Sequence, residues 1–182
     1  MNEFSSELLE CCYNTKALKM HYKNNRLFFD CNKLLLNPRA LNFVAFYLCE
    51  KARLSGAQGI GGRKHGAEAL VAGIVMESYK TGCDIPGFFV RVSGENYSKI
   101  YDGILHPNSD VIIIEPIASP GTNLQRTINI VEHHGSNIKE IYVLLERYED
   151  ENEAYLLRSK GYKVSSMLQE LSDYSVVPNP HF

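Results

Sequence analysis

Several familiar signatures are missing from this chain, and each absence removes a class of function. No CxxC pair occurs, so nothing places two thiolates at the spacing of a zinc site. No glycine-rich loop ends in GKS or GKT, which removes the P-loop nucleotide-binding proteins, and no GxGxxG marks a dinucleotide fold. A serine hydrolase lacks its GxSxG elbow. Charge of one sign is also lacking: 19 basic and 21 acidic side chains leave a formal charge of -2, with no field to draw nucleic acid or an anionic membrane. No stretch approaches the roughly 20 apolar residues that span a bilayer. The opening MNEFSSELLECC is acidic and has neither a basic n-region nor a long apolar run, so no secretory signal is expected there.

The five cysteines, Cys11, Cys12, Cys31, Cys49 and Cys83, are odd in number. They read as reduced and structural in a cytoplasmic protein; Cys11 and Cys12 are neighbours that a helix would point about 100 degrees apart. Repeats, low-complexity segments and long linkers are absent too. With 182 residues and 45% apolar composition, one compact domain is expected. Its parts are an N-terminal helix and hood over about 1–36, a core over about 37–174 and a loose tail over 175–182.

What is present is an alternation of helical and extended patterns. Phe4 to Tyr13 has apolar residues at helical spacing, and Ala17 to Tyr22 with Leu27 to Asp30 reads as a hairpin around the polar turn KNNR. Pro38 opens a helix through ALNFVAFYLCEKAR, as proline in a first turn does. A short apolar segment, Ala57 to Ile60, precedes GGRKHG and a helix over Ala67 to Lys80. Strands follow at Gly87 to Val92, Val111 to Glu115, Ile138 to Leu145 and Tyr162 to Ser166, with helices over Thr122 to His134 and Glu151 to Lys160. This order predicts an α/β fold: a mostly parallel central sheet with helices on both faces, plus the small N-terminal hood. The run VIII, apolar without alternation, suits a strand covered on both sides.

Parallel sheets hold ligands beyond the carboxyl ends of their strands. Four loops there are polar or glycine-rich: GGRKHG, SGENYSK, EPIASPGTN and ERYEDE. The third, inside VIIIEPIASPGTN, is the most specific. A small turn into a helix N-terminus offers backbone N–H groups and the positive end of the helix dipole to an anion, and Ser119, Thr122 and Asn123 add side-chain donors.

VIIIEPIASPGTN resembles the phosphoribosyl-pyrophosphate signature of the type I phosphoribosyltransferases. The orotate phosphoribosyltransferase branch matches in order and spacing, with ALKMHYKNNRLFFDCNKLLLNPRAL similar to its hood and GIGGRKHGAEALVAGIVMESY to its pyrophosphate loop. IYVLLERYEDENEAYLLRSKGYKVSSMLQELSDY is similar to its last third, so the likeness runs from about residue 14 to 174. The resemblance implies transfer of ribose 5-phosphate from phosphoribosyl pyrophosphate to an orotate-like base, in pyrimidine biosynthesis, by a cytoplasmic homodimer using Mg2+. It implies that Ser119, Pro120, Gly121, Thr122 and Asn123 hold the 5'-phosphate, and that Lys23, Lys64, His65 and Arg91 meet the pyrophosphate. Phe28, Phe29, Ser119 and Arg147 would form the base site. Glu115 would contact the ribose and the metal.

This chain departs from the family pattern at two places. The acidic pair is Glu115 followed by Pro116, so one carboxylate is lost. In RVSGENYSKIYDG only Arg91 is kept; Val92 and Glu95 fall where lysines belong, Tyr97 falls near the histidine, and Lys99 is the substitute if the register shifts. A catalytically silent phosphoribosyl-pyrophosphate or nucleotide-binding regulator therefore stands as the alternative to an enzyme. Structural roles stand beside the functional ones: Glu115 as a turn acceptor, Arg147 paired with Glu146, Glu149 or Asp150, and Phe28 or Phe29 in the core, because alternate strand positions face opposite sides. His133 and His134 read as helix-end residues rather than catalytic ones.

Overall fold

The computed structural model describes residues 3–20, 27–91, 100–119, 124–148, 152–180 and 182. In chain order it contains α1 (Glu3–Asn14), β1 (Leu18–Met20), β2 (Leu27–Phe29), α2 (Cys31–Leu35), α3 (Pro38–Ser55), β3 (Gly59–Arg63), α4 (Glu68–Lys80) and β4 (Gly87–Val90). Then come β5 (Tyr101–Gly103), β6 (Asp110–Ala118), α5 (Leu124–His133), β7 (Asn137–Glu146), α6 (Glu153–Ser159), β8 (Val164–Glu170) and β9 (Val176–Pro178). β1 and β2 pair antiparallel as the expected hood. The other strands form a sheet in the order β5-β4-β3-β6-β7-β8-β9, parallel from β4 through β8 and antiparallel at both edges.

The apolar run of β6 shows why this sheet forms. Val111, Ile112, Ile113 and Ile114 are all at most 1% exposed. Ile112 and Ile114 pack into a cluster with Leu8, Val44, Leu48, Leu70 and Ile74 of α1, α3 and α4. Val111 and Ile113 point the other way, into a cluster with Leu124, Ile128, Ala154 and Leu157 of α5 and α6. Period-two alternation thus feeds two cores, one on each face, and each such side chain stabilises the fold by roughly 1.5–3 kcal/mol.

Helix ends follow local chemistry. The Asn37 side chain accepts the N–H groups of Arg39 and Ala40 (both 3.1 Å) ahead of Pro38, and α3 stops at Gly56 with φ 70°. In β3 the sequence GIGGR is short of side chains for a reason. A Cβ on Gly62 would collide with the Ile114 carbonyl and lie 2.6 Å from the Ala67 Cβ. Gly62→Ala is therefore expected to destabilise the protein by about 1–3 kcal/mol, read as a lower urea midpoint with an unchanged slope.

Two expectations change. The C-terminal residues form β9 rather than a loose tail, with Val176 buried and the Phe182 ring 5.9 Å from Phe4 and 5.6 Å from Tyr47. Apolar contact with α1 and α3 holds them. The segment YDG forms the edge strand β5, too short at three residues to show a sequence period.

Candidate active site

Strand order reverses direction between β3 and β6. The chain leaves β3 through α4 to β4 on one side, and leaves β6 through α5 to β7 on the other. The connections diverge there and open a crevice at the carboxyl ends, the usual ligand position in open parallel sheets. One residue past the last paired positions, Gly62 and Ile114, stand Arg63 and Glu115. Arg63 Nη2 lies 3.4 Å from Glu115 Oε1, with the Glu115 side chain 2% exposed and that of Arg63 24% exposed.

This pair is incompletely satisfied. Among the described residues, Glu115 Oε2 and Arg63 Nε are buried without hydrogen-bond partners. Burial pushes the Glu115 carboxyl up to about 7, against the pull of the Arg63 guanidinium, and the charge of Glu153 adds to the rise. Glu115 therefore stands near the midpoint of its titration at neutral pH. A buried carboxyl oxygen left without a partner is unusual in a folded protein and marks this position as a candidate site.

The cations around the crevice are brought together. Lys64 follows Arg63 directly, and its Nζ lies 3.1 Å from Asp102 Oδ2. Arg91, just past β4, grips the same carboxylate with Nε 2.9 Å from Oδ2 and Nη2 2.8 Å from Oδ1. Hydrogen bonds from Arg91 and Lys64 hold the Asp102 carboxyl far down, at about 2. His65 is exposed with φ 67°, and the turn it makes presents two backbone N–H groups to Glu68: His65 N at 2.6 Å from Oε1 and Gly66 N at 2.8 Å from Oε2.

Ser119 directly follows β6 and is half-buried. Pro120, Gly121, Thr122 and Asn123, expected to complete the phosphate turn, lie outside the described residues, as do Lys23 and Lys99. Just beyond them, the Gln125 N–H in the first turn of α5 donates to Glu153 Oε1 at 2.9 Å.

Arg147 is fixed at the end of β7, where its N–H donates to the Ala118 carbonyl at 3.0 Å beside Ser119. Its Nε lies 2.8 Å from Oε2 of Glu170, a side chain only 1% exposed. That acid partner is on β8, Glu146 pairs with Arg158 at 2.7 Å, and Glu149 and Asp150 lie outside the described residues. Strand alternation divides the two phenylalanines of β2: Phe29 is 4% exposed in the core and Phe28 is 54% exposed. The Phe28 ring stands clear of the core, whereas the Phe29 ring packs into it. Burial raises the Cys31 thiol, with the charge of Asp30 adding to the rise. His134 is an end residue as expected, its Nε2 3.1 Å from the Leu105 carbonyl.

Sequence reasoning passed over Arg63, Glu68, Asp102 and Glu170. Arg63 sits inside GGRKHG, but its facing Glu115 depends on a register between strands 52 residues apart. Asp102 and Glu170 likewise acquire meaning only through pairing across the sheet.

Among the described residues no three His, Cys, Asp or Glu side chains gather as a metal cage. Magnesium ordinarily takes one or two carboxylates together with substrate phosphates and water. The vacant Glu115 Oε2 supplies one such oxygen at the crevice, so the donor set fits an ion delivered with a phosphorylated substrate. No helix among the described residues is long and apolar enough to cross a membrane.

No protein-family model matches the chain. It is similar to the orotate phosphoribosyltransferase of Methanosphaera stadtmanae, 28% identical over 163 residues, covering 85% of this chain and 89% of that one. In structure it is similar to a phosphoribosyltransferase from Corynebacterium diphtheriae, with TM-score 0.78, 18% identity and coverage of 95% and 99%. The orotate phosphoribosyltransferase of Mycobacterium tuberculosis in complex with 5-phospho-alpha-D-ribosyl 1-diphosphate superposes with TM-score 0.73 at 18% identity, covering 96% of this chain and 93% of that one.

Proposed function

We propose that this chain, a diverged orotate phosphoribosyltransferase-like protein of the type I phosphoribosyltransferase fold, transfers ribose 5-phosphate from phosphoribosyl pyrophosphate to an orotate-like base. The observation that carries the reading is the Arg63–Glu115 pair, buried and half-satisfied at the switch point of a sheet shared with such enzymes.

In this reaction a ring nitrogen of the base attacks C1 of the ribose as pyrophosphate leaves, so positive charge builds on the sugar and negative charge on the leaving group. The protein has little covalent work; it orients the reactants and matches the developing charges. Glu115 accepts from the ribose hydroxyls with its vacant oxygen, below the ring where cationic character grows. Arg63 holds that carboxylate in place and tempers its charge. Lys64, His65 and Arg91 surround the pyrophosphate, and the N–H groups of His65 and Gly66 lie on the same side. Ser119 begins the 5'-phosphate turn that Pro120, Gly121, Thr122 and Asn123 continue.

Arg147, anchored by Glu170, faces the base and meets an acidic substituent by a charge-assisted pair. Phe28 covers the base from the hood. Lys23 and Lys99 add charge from segments flanking the leaving group. Glu115 would hold Mg2+, which when bound screens the pyrophosphate charge. A homodimer in the cytoplasm belongs to the same reading.

Turnover tests it. Purified protein with phosphoribosyl pyrophosphate, Mg2+ and a panel of bases is expected to release pyrophosphate and form a nucleotide with orotate or another acidic pyrimidine. Binding of phosphoribosyl pyrophosphate by calorimetry, with no release for any base, would establish a regulator instead.

A further inference from the structure

Three consecutive residues at the crevice, Lys64, His65 and Gly66, each donate to a carboxylate of this same chain. Glu68 receives the two backbone N–H groups, one on each oxygen, at 2.6 and 2.8 Å. Asp102 receives Lys64 at 3.1 Å and the fork of Arg91 at 2.9 and 2.8 Å. Five donor contacts are thus filled by two anionic groups. Glu68 does not cap its own helix in the ordinary way, where an acid three residues into the first turn reaches back to the cap. It is the first residue of α4 and reaches backward to the preceding turn.

These contacts adjoin an unsatisfied site. A Cβ built on Gly66 would lie 3.3 Å from Arg63 Nη2 and 3.7 Å from Glu115 Oε1, so the turn that Glu68 holds borders the buried pair. The Glu115 carboxyl thus borders the same turn through Oε1, and its other oxygen, Oε2, is buried with no hydrogen-bond partner among the described residues.

We propose that Glu68 and Asp102 are internal stand-ins for the two phosphates of pyrophosphate, closing its donors in the free protein and giving way when the diphosphate arrives. The inference rests on the phosphoribosyltransferase reading and adds to it two specific residues and a direction of effect. Each carboxylate competes with the incoming anion for the same N–H groups, so each lowers diphosphate affinity. Each also keeps Lys64, Arg91 and the His65–Gly66 turn arranged as a site while it is empty, which limits the ordering entropy that binding has to overcome. A ligand that replaces both anions at once, as a diphosphate does, is favoured over a monophosphate that replaces one. Product pyrophosphate meets the same competition and leaves more readily.

Calorimetric titration with inorganic pyrophosphate and with inorganic phosphate, in the presence of Mg2+, tests this on wild type, Glu68→Gln, Asp102→Asn and the double variant. Each single change removes the competing charge and keeps the shape. A fivefold or greater fall in Kd for pyrophosphate is expected for each, and the double variant is expected to exceed either. Preference for pyrophosphate over phosphate is expected to narrow as one donor group is freed.

Glu77→Gln removes an equal charge from the far end of α4 and is expected to stay within twofold of wild type, which separates competition from a general change in net charge. Circular dichroism confirms folding of each variant, and Asp102→Asn, at an edge strand, supplies the measurement if Glu68→Gln misfolds. Pyrophosphate binding that is unchanged or weaker in the folded variants would overturn the inference and leave the transferase reading intact. Absence of pyrophosphate binding in every variant and in wild type would overturn both.

Discussion

Glu115→Gln is expected to lower kcat/KM for phosphoribosyl pyrophosphate by about 10²–10³-fold, the usual effect of removing one preorganised electrostatic group, while making the folded protein more stable at pH 8. The two effects have one cause. Burial raises the Glu115 carboxyl from an ordinary value of 4.5 to about 7, so the folded chain binds a proton that the unfolded chain releases between those values. The carboxyl thus favours the fold below pH 4.5, and stability falls as pH rises through that window and levels off above about 7. The total is on the order of 3 kcal/mol, since each unit of displacement is worth about 1.4 kcal/mol. Glutamine stays neutral throughout and removes that slope. Urea unfolding of both proteins at pH 5 and pH 8 reads the difference. Equal pH slopes would mean that Glu115 is not buried as a titrating acid, and retained activity would mean that its vacant oxygen does not serve the ribose.

Arg147→Met carries the second large effect. It removes the guanidinium beside Glu170 and leaves a carboxylate whose side chain is 1% exposed. Breaking such a pair from one side costs roughly 3 kcal/mol, or about 6–12 °C in Tm for a chain of this size. Removing both partners at once, as in Arg147→Met with Glu170→Leu, is expected to recover most of that loss, because no buried carboxylate is then left without its guanidinium. Losses that simply add in this double-mutant cycle would show the two residues to be independent. Activity is expected to remain low in the recovered double variant, because the cation offered to the base is still missing. Stability and base recognition at Arg147 are thereby read separately.

The large elements were legible because each has its own period. The uninterrupted VIII of β6 marked a doubly covered strand, and Pro38 marked the start of α3. β5 and β9 were not, since three residues on an edge carry no period and acquire their shape from a neighbour far along the chain. The same division holds at the site. Glu115 and Arg147 declared themselves by standing where strands end. Their partners Arg63 and Glu170 did not, because a partner is set by register across the sheet. Lys64 and Arg91 were found as cations, but the carboxylate that joins them, Asp102, lay in a segment with no readable structure. Local rules reveal which groups are present; only the fold decides which of them face each other.

Diffraction from crystals soaked with ribose 5-phosphate, with an unsoaked crystal as reference, tests the placement of the site most directly. The sugar is expected over the carboxyl ends of β3 and β6, with its hydroxyls within hydrogen-bonding distance of Glu115 Oε2 and its phosphate on the turn that begins at Ser119. Ligand density elsewhere on the molecule, or an empty crevice at saturating ligand with that turn folded toward the interior, would contradict it.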